Sequence, residues 1–198
     1  MLSAIGVNIA LKGATDTDLN TVQSILDGYR EQSFFDLSNG YGQVVRTDAL
    51  DMYDRGVIGI DLSIDGVVKL VVDSKEGTVF FSVSDRQALL SQLVLMFSGY
   101  KIADVDLADY MPIFERGCTF RYSECKSEDY DKSLSGLFDD TLDGVTPNEV
   151  DAFVQITDGD LETINNYKIR DDLHSALFQI VSTESGTDKC KIALFSTK

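Results

Sequence analysis

Ile102-Ala103-Asp104-Val105-Asp106-Leu107-Ala108-Asp109-Tyr110 sets three carboxylates, Asp104, Asp106 and Asp109, within six positions in the pattern D-x-D-x-x-D. Negative charge this dense must face water, a cation, or a polarised water molecule at a partner's site. The run follows an apolar helical pattern from Gln87 to Ser98 and opens a second apolar-periodic segment, Leu107 to Phe114. The spacing therefore predicts a short acidic loop between two helices.

Upstream of this loop, Ser84 followed by Gln87 predicts a capping box for a helix that buries Leu89, Leu90, Leu93, Val94 and Phe97. Before it, Ile58, Ile60, Leu62 and Ile64 alternate with small or polar residues, as a half-buried strand does. Asp65-Gly66 predicts a type I′ turn into Val67–Val72, and Glu76-Gly77 a second turn into Thr78–Val83, giving a three-stranded meander. Nearer the start, Ile5 to Leu11 reads as a strand. Asp16 or Thr17 is placed to cap a helix that carries Leu19, Val22, Ile25, Leu26 and Tyr29 on one face. Ser33 to Met52 shows no clear period and is predicted to be a long loop with a short strand at Gln43–Arg46.

Downstream, Gly117–Ser123 reads as a strand, Glu128–Phe138 as a helix, and Asp139 to Gly144 as a loop. Val150–Thr157 is predicted to be a strand, with Asp158-Gly159-Asp160 opening a helix that runs to about Ser175. Ala176–Thr183 and Cys190–Ser196, joined through Glu184-Ser185-Gly186, read as a closing hairpin. The fold class expected is α+β, with helices on mixed and antiparallel sheets. Residues 1–84 hold a strand, a helix and a meander, and residues 85–198 form a second α+β domain.

Composition narrows the partners. With 33 acidic against 17 basic side chains the net charge is −16, which argues against nucleic acid and anionic membrane, since both need a positive surface. It suits a basic protein or a cation, and it also keeps a protein soluble. No run of apolar residues is long enough for a membrane span, and Met1–Ala10 lacks the basic start of a secretion signal, so a cytoplasmic setting is expected. Cys118, Cys125 and Cys190 are odd in number and form no C-x-x-C pair, which indicates neither a disulfide framework nor a zinc site. No cofactor or metal is expected.

From about Gln87 onward the order of short motifs resembles the C-terminal half of FtsZ, the bacterial member of the tubulin superfamily. There a long helix leads into a loop written N-x-D-x-A-D, which Asp104-Val105-Asp106-Leu107-Ala108-Asp109 resembles, and a strand then begins near a glycine, as at Gly117. Leu137 to Val145 is similar to the family's LL-x-x-x-I-D-G-A, and Gln155-Ile156-Thr157-Asp158-Gly159-Asp160-Leu161 to its NITGG-x-DL. A closing pair of strands follows in the same order. The resemblance implies a domain that stacks head-to-tail on a neighbouring subunit. Its acidic loop enters the neighbour's GTP site, where Asp106 and Asp109 would orient the water that attacks the γ-phosphate.

Two departures qualify that implication. Asp104 stands where the family has Asn, which adds a third negative charge facing a phosphate. The family's Gly-rich phosphate loop has no counterpart: Asn39-Gly40-Tyr41-Gly42 has only two glycines and a bulky tyrosine. The reading is thus of a non-catalytic assembly or regulatory protein that self-associates or docks on a protein partner, with GTP only where a partner subunit supplies it. The alternative is an acidic α+β binding module or adaptor, of the secretion-chaperone, phage or mobile-element kind. It would hold a basic or partly unfolded partner at a sheet edge or apolar groove. A Mg²⁺-dependent hydrolase built on the acidic loop lacks a second ligand group.

For Asp104, Asp106 and Asp109 a plain helix cap remains an open reading, because carboxylates favour helix N-termini. A calcium loop fits poorly, lacking the turn glycine and the twelfth-position glutamate. Asp139, Asp140 and Asp143 read as a solvated loop, His174 as a helix residue, and Cys118 as a buried strand thiol. Ser33 and Ser84 show no paired His/Asp signature. Tyr41, Tyr53, Tyr100, Tyr110, Tyr122 and Tyr130 suggest half-buried or interface positions.

Overall fold

The computed structural model describes residues 8–32, 43–50, 57–98, 100–103, 107–144, 146, 149–158, 174–182 and 189–197. The chain divides into two compact units, Met1–Gly99 and Tyr100–Lys198. Both mix helices with a mixed sheet, so the fold is α+β.

In the first unit, β1 (Asn8–Lys12) leads through Gly13 to α1 (Asp16–Gln32) and then to β2 (Val44–Thr47). A meander follows, of β3 (Val57–Ile64), β4 (Val67–Val72) and β5 (Lys75–Phe80), and a 3₁₀ turn at Val83–Asp85 opens α2 (Arg86–Ser98). The strand order is β2-β1-β3-β4-β5, with β1 parallel to both its neighbours and the meander antiparallel. Ile9, Ala10 and Leu11 are all buried, as expected of a strand flanked on both sides, here by β2 and β3. Helix α1 turns Val22 and Leu26 inward and packs on α2. Helix α2 is buried around its circumference, from Leu89 and Leu90 through Gln92 to Met96, because its sequence is apolar on every face.

Four local expectations are corrected. The cap of α1 is Thr15, whose hydroxyl accepts from the Asp18 N–H (3.2 Å) while the Asp18 carboxylate accepts from the Thr15 N–H (2.8 Å). This reciprocal pair is a capping box, here with Asp in the usual place of Glu. Ser84 caps nothing; it lies inside the 3₁₀ turn, and the Gln87 side chain instead bonds Asp18 and Thr21. The turn between β4 and β5 is Asp73-Ser74, both at positive φ (48° and 68°), and Glu76-Gly77 belongs to β5. At the preceding turn only Gly66 takes positive φ (75°), so Asp65-Gly66 is not the mirror-image type expected.

Ser74 thus holds a left-handed conformation that glycine adopts at no steric cost. Ser74→Gly is expected to stabilise the protein by about 0.5–1 kcal/mol, read as a raised urea midpoint. An unchanged or lowered midpoint would show that this turn stores no strain.

The second unit starts with β6 (Tyr100–Ala103) and α3 (Leu107–Glu115), then β7 (Cys118–Lys126), a 3₁₀ turn (Ser127–Asp129) and α4 (Tyr130–Leu142). Strands β8 (Asp151–Thr157), β9 (Ser175–Ser182) and β10 (Lys189–Thr197) complete it. The strand order is β7-β10-β8-β9-β6; β8 and β9 run parallel and the other pairs antiparallel. The expected closing hairpin is therefore absent, since β8 lies between β9 and β10. Every residue of β8 is buried, and such a strand requires a partner on each side. One face of the sheet, with Val154, Ile156, Ile192 and Leu194, packs on Tyr130, Leu134, Leu137 and Phe138 of α4. The predicted helix between β8 and β9 lies mostly outside the described residues, and Ser175 belongs to β9 rather than to that helix.

Candidate functional site

The acidic stretch does not join two helices directly. Tyr100–Ala103 is a strand paired with β9, so a strand rather than a helix precedes the acidic stretch. Asp104 and Asp106 lie outside the described residues. Asp109 is exposed in the first turn of α3. The opposite face of that helix is pinned: Tyr110, Met111, Ile113 and Phe114 are buried, with the Tyr110 ring 5.0 Å from Phe153 and the Phe114 ring 5.2 Å from Phe195. Asp109, Pro112 and Arg116 share the outer face, at the spacing of successive helical turns. Gly117, at φ 81°, lies between the end of the helix and the start of β7 at Cys118. Asp109 is thus an outward carboxylate on a rigid mount, and its place near a helix N-terminus is favourable in its own right.

At the other end of α3 the structure assembles a cluster that no sequence motif announces. The Asp151 carboxylate, on a buried residue, pairs with the Arg116 guanidinium through one oxygen and with His174 Nδ1 (2.7 Å) through the other. The Asp151 N–H donates to Thr197 Oγ1 (2.9 Å), and the His174 N–H to the Val150 carbonyl (3.1 Å). Burial opposes ionisation of Asp151, but the hydrogen bonds from His174 and Arg116 outweigh it and hold its carboxyl below the ordinary range. His174 is not a mid-helix residue, as expected, but an exposed one just before β9. The cluster ties the end of α3 and the start of β9 to the start of β8. Its three members are far apart in sequence, so only the fold brings them together.

A strand–turn–helix junction such as β1–α1 is where many proteins hold a phosphate, on the N–H groups of the helix start. Here a buried carboxylate of the chain itself sits in the first turn of the helix and bonds the cap residue, Thr15. Asp18, 0% exposed, accepts from the Thr15 N–H (2.8 Å) and hydroxyl (2.9 Å), from Gln87 Nε2 (2.7 Å), and from Arg86 Nη2 (2.8 Å) and Nε (3.2 Å). Arg86 also donates to the carbonyls of Leu62 and Gly13, at 3.3 Å each. Burial alone would raise the Asp18 carboxyl; the hydrogen bonds from Arg86 and Thr15 prevail and bring it down to about 2. The T-x-x-D spacing was the available signal for half of this network.

Other singled-out residues are scattered. Asp139 and Asp140 are exposed on the last turn of α4 rather than on a loop, and Asp143 is exposed in the turn that follows. Cys118 is buried in β7, Tyr110 and Tyr130 are buried, and the half-buried Tyr122 donates to Glu124 (2.7 Å). Ser33, Tyr41 and Tyr53 lie outside the described residues, as do Asn39-Gly40-Tyr41-Gly42. Among the described residues no group of three or more His, Cys, Asp or Glu gathers closely enough to hold a metal ion, and no helix is long and apolar enough to cross a membrane.

No known protein-family profile matches the chain, and no curated protein matches it either. Among solved structures it is similar to two of FtsZ from M. jannaschii. One, a point mutant, is 16% identical with a TM-score of 0.43, over 58% of this chain and 40% of that one. The other, an empty dimer, is 12% identical with a TM-score of 0.46, over 97% of this chain and 55% of that one. The chain therefore spans about half the length of the FtsZ structures it matches, and both likenesses are distant.

Proposed function

We propose that the protein is a non-catalytic FtsZ/tubulin-like assembly or regulatory protein that docks on a partner, a polymerising GTPase, through the acidic segment ending at Asp109. The observation that carries this reading is the exposure of Asp109 on a helix whose other face is locked into the core of its unit. A carboxylate held this rigidly reaches a partner's site without further ordering cost. Asp104 and Asp106 precede Asp109 in sequence and add two negative charges. The partner supplies the nucleotide and the positive charge; at its site Asp106 and Asp109 orient the attacking water. In support of a chain without its own phosphate site, Asp18 in the first turn of α1 bonds the cap residue Thr15, and its negative charge would repel a phosphate.

The test mixes the protein with a tubulin-like GTPase and follows GTP turnover and pelleting. Asp109→Ala is expected to reduce any stimulation of turnover by about 10²-fold. As an exposed site it should leave stability within about 0.5 kcal/mol of wild type. If wild type changes neither turnover nor pelleting, the proposal fails.

A second reading, the acidic binding module, draws on a different observation. Ile64, Val67 and Phe80 stand opposite one another across β3, β4 and β5, and Ile64 and Phe80 are 55% and 43% exposed. Such a row suits an apolar segment of a partly unfolded client. Capture from the native host separates the two: a filament-forming GTPase supports docking, a secreted or virion protein the module.

A further inference from the structure

Sequence alone leaves the three cysteines unrelated, but β7 and β10 bring two of them face to face. Cys125 and Cys190 are direct partners in the antiparallel register. Directly opposite residues of such a pair lie about 4.5–5.5 Å apart at Cα and project to the same face. That spacing falls inside the ~4.4–6.8 Å a disulfide spans. Cys190 belongs to the buried cluster under α4, and Cys125 packs against its margin, half-buried. After burial, the nearby Cys125 is the main influence that pushes the Cys190 thiol up, to about 12. Cys118 takes no part: it pairs with Thr197 at the far end of the same ladder and is fully buried.

We infer that Cys125 and Cys190 are a dithiol pair that closes into a cross-strand disulfide by exchange with a small-molecule disulfide of the glutathione type. Cys125, the more accessible, attacks first as its thiolate. Its sulfur bonds to one glutathione sulfur, the glutathione S–S bond breaks, and the first glutathione leaves as a thiolate that takes up a proton. The Cys190 sulfur, across the ladder, then gives up its proton and attacks the Cys125 sulfur. The mixed disulfide breaks and the second glutathione departs. Two thiols are oxidised, one glutathione disulfide is reduced to two glutathione molecules, and both protons end on them. The buried Cys190 is a poor starting point because its thiolate is disfavoured, and that fixes the order of the steps.

The reduced full chain, incubated with glutathione disulfide at about pH 8, tests this. Counted in denaturant, two of the three thiols are expected to disappear, and dithiothreitol to restore them. Peptide mapping should join the Cys125 peptide to the Cys190 peptide, and the oxidised chain should migrate faster on a non-reducing gel. Cys125→Ser, at a half-buried position, should keep Cys118 and Cys190 free. The inference is overturned if all three thiols persist, if Cys125 stops at a stable glutathione adduct, or if the crosslink involves Cys118 or a second chain. The wild-type peptide map decides the matter even if a variant fails to fold.

Discussion

Replacing Arg86 by Met is expected to lower stability by about 3–5 kcal/mol, the largest effect of any single side chain described above. The substitution keeps most of the stem's apolar volume but strands a carboxylate that is 0% exposed. It also removes donors from the carbonyls of Gly13 and Leu62, loosening the β1–α1 turn and the end of β3 together. The pH profile gives an independent readout. The Asp18 carboxyl lies at about 2 in the folded chain against an ordinary 3.8, so its contribution is complete above the ordinary value and lost as pH falls through about 2. That difference corresponds to about 2 kcal/mol. Urea melts at falling pH should show this loss in wild type and a smaller one in Arg86→Met, because both bonds from Arg86 that help hold the carboxyl down have gone. Equal profiles would mean that Thr15 and Gln87 alone set the acidity of Asp18.

Gly13→Ala is the second large expected effect, of about 3 kcal/mol or more. Two costs coincide there. Gly13 holds φ 66°, and a Cβ built on it would come within 2.6 Å of the Ser63 backbone N and Cα as well as its hydroxyl. The hydroxyl could rotate away, but the backbone of β3 cannot move without disturbing its pairing with β1. Because Gly13 also presents its carbonyl to Arg86, the two substitutions should be less than additive in a double-mutant cycle. A Gly13→Ala chain within 0.5 kcal/mol of wild type would show that the close approach is easily relieved.

These two residues illustrate what was readable beforehand. The meander was legible because Ile58, Ile60, Leu62 and Ile64 alternate, yet its second turn was misplaced: glycine at Gly77 outweighed the less obvious Asp73-Ser74. Gly77 is instead buried opposite Leu70 in the sheet. Tyr100–Ala103 escaped notice because four residues have too little alternation to announce a strand; its pairing comes from β9, some eighty positions later. The turn signal at Glu184-Ser185-Gly186 suggested a hairpin, but a turn signal says nothing about which strand intervenes. At the candidate site, the D-x-D-x-x-D pattern marks Asp109, and its exposure is added by the structure. No pattern marks Arg86, since it meets Asp18 across 68 positions, nor Arg116 and His174, which meet only at Asp151.

The position of β10 between β7 and β8 carries a consequence for synthesis of the chain. While a ribosome is still translating, β7 and β8 have been made but the strand that bridges them has not. Each therefore exposes an unpaired edge until residues 189–197 have emerged from the exit tunnel. Nascent chains stalled before that point should bind holdase chaperones, and chains released with residues 189–197 made should not.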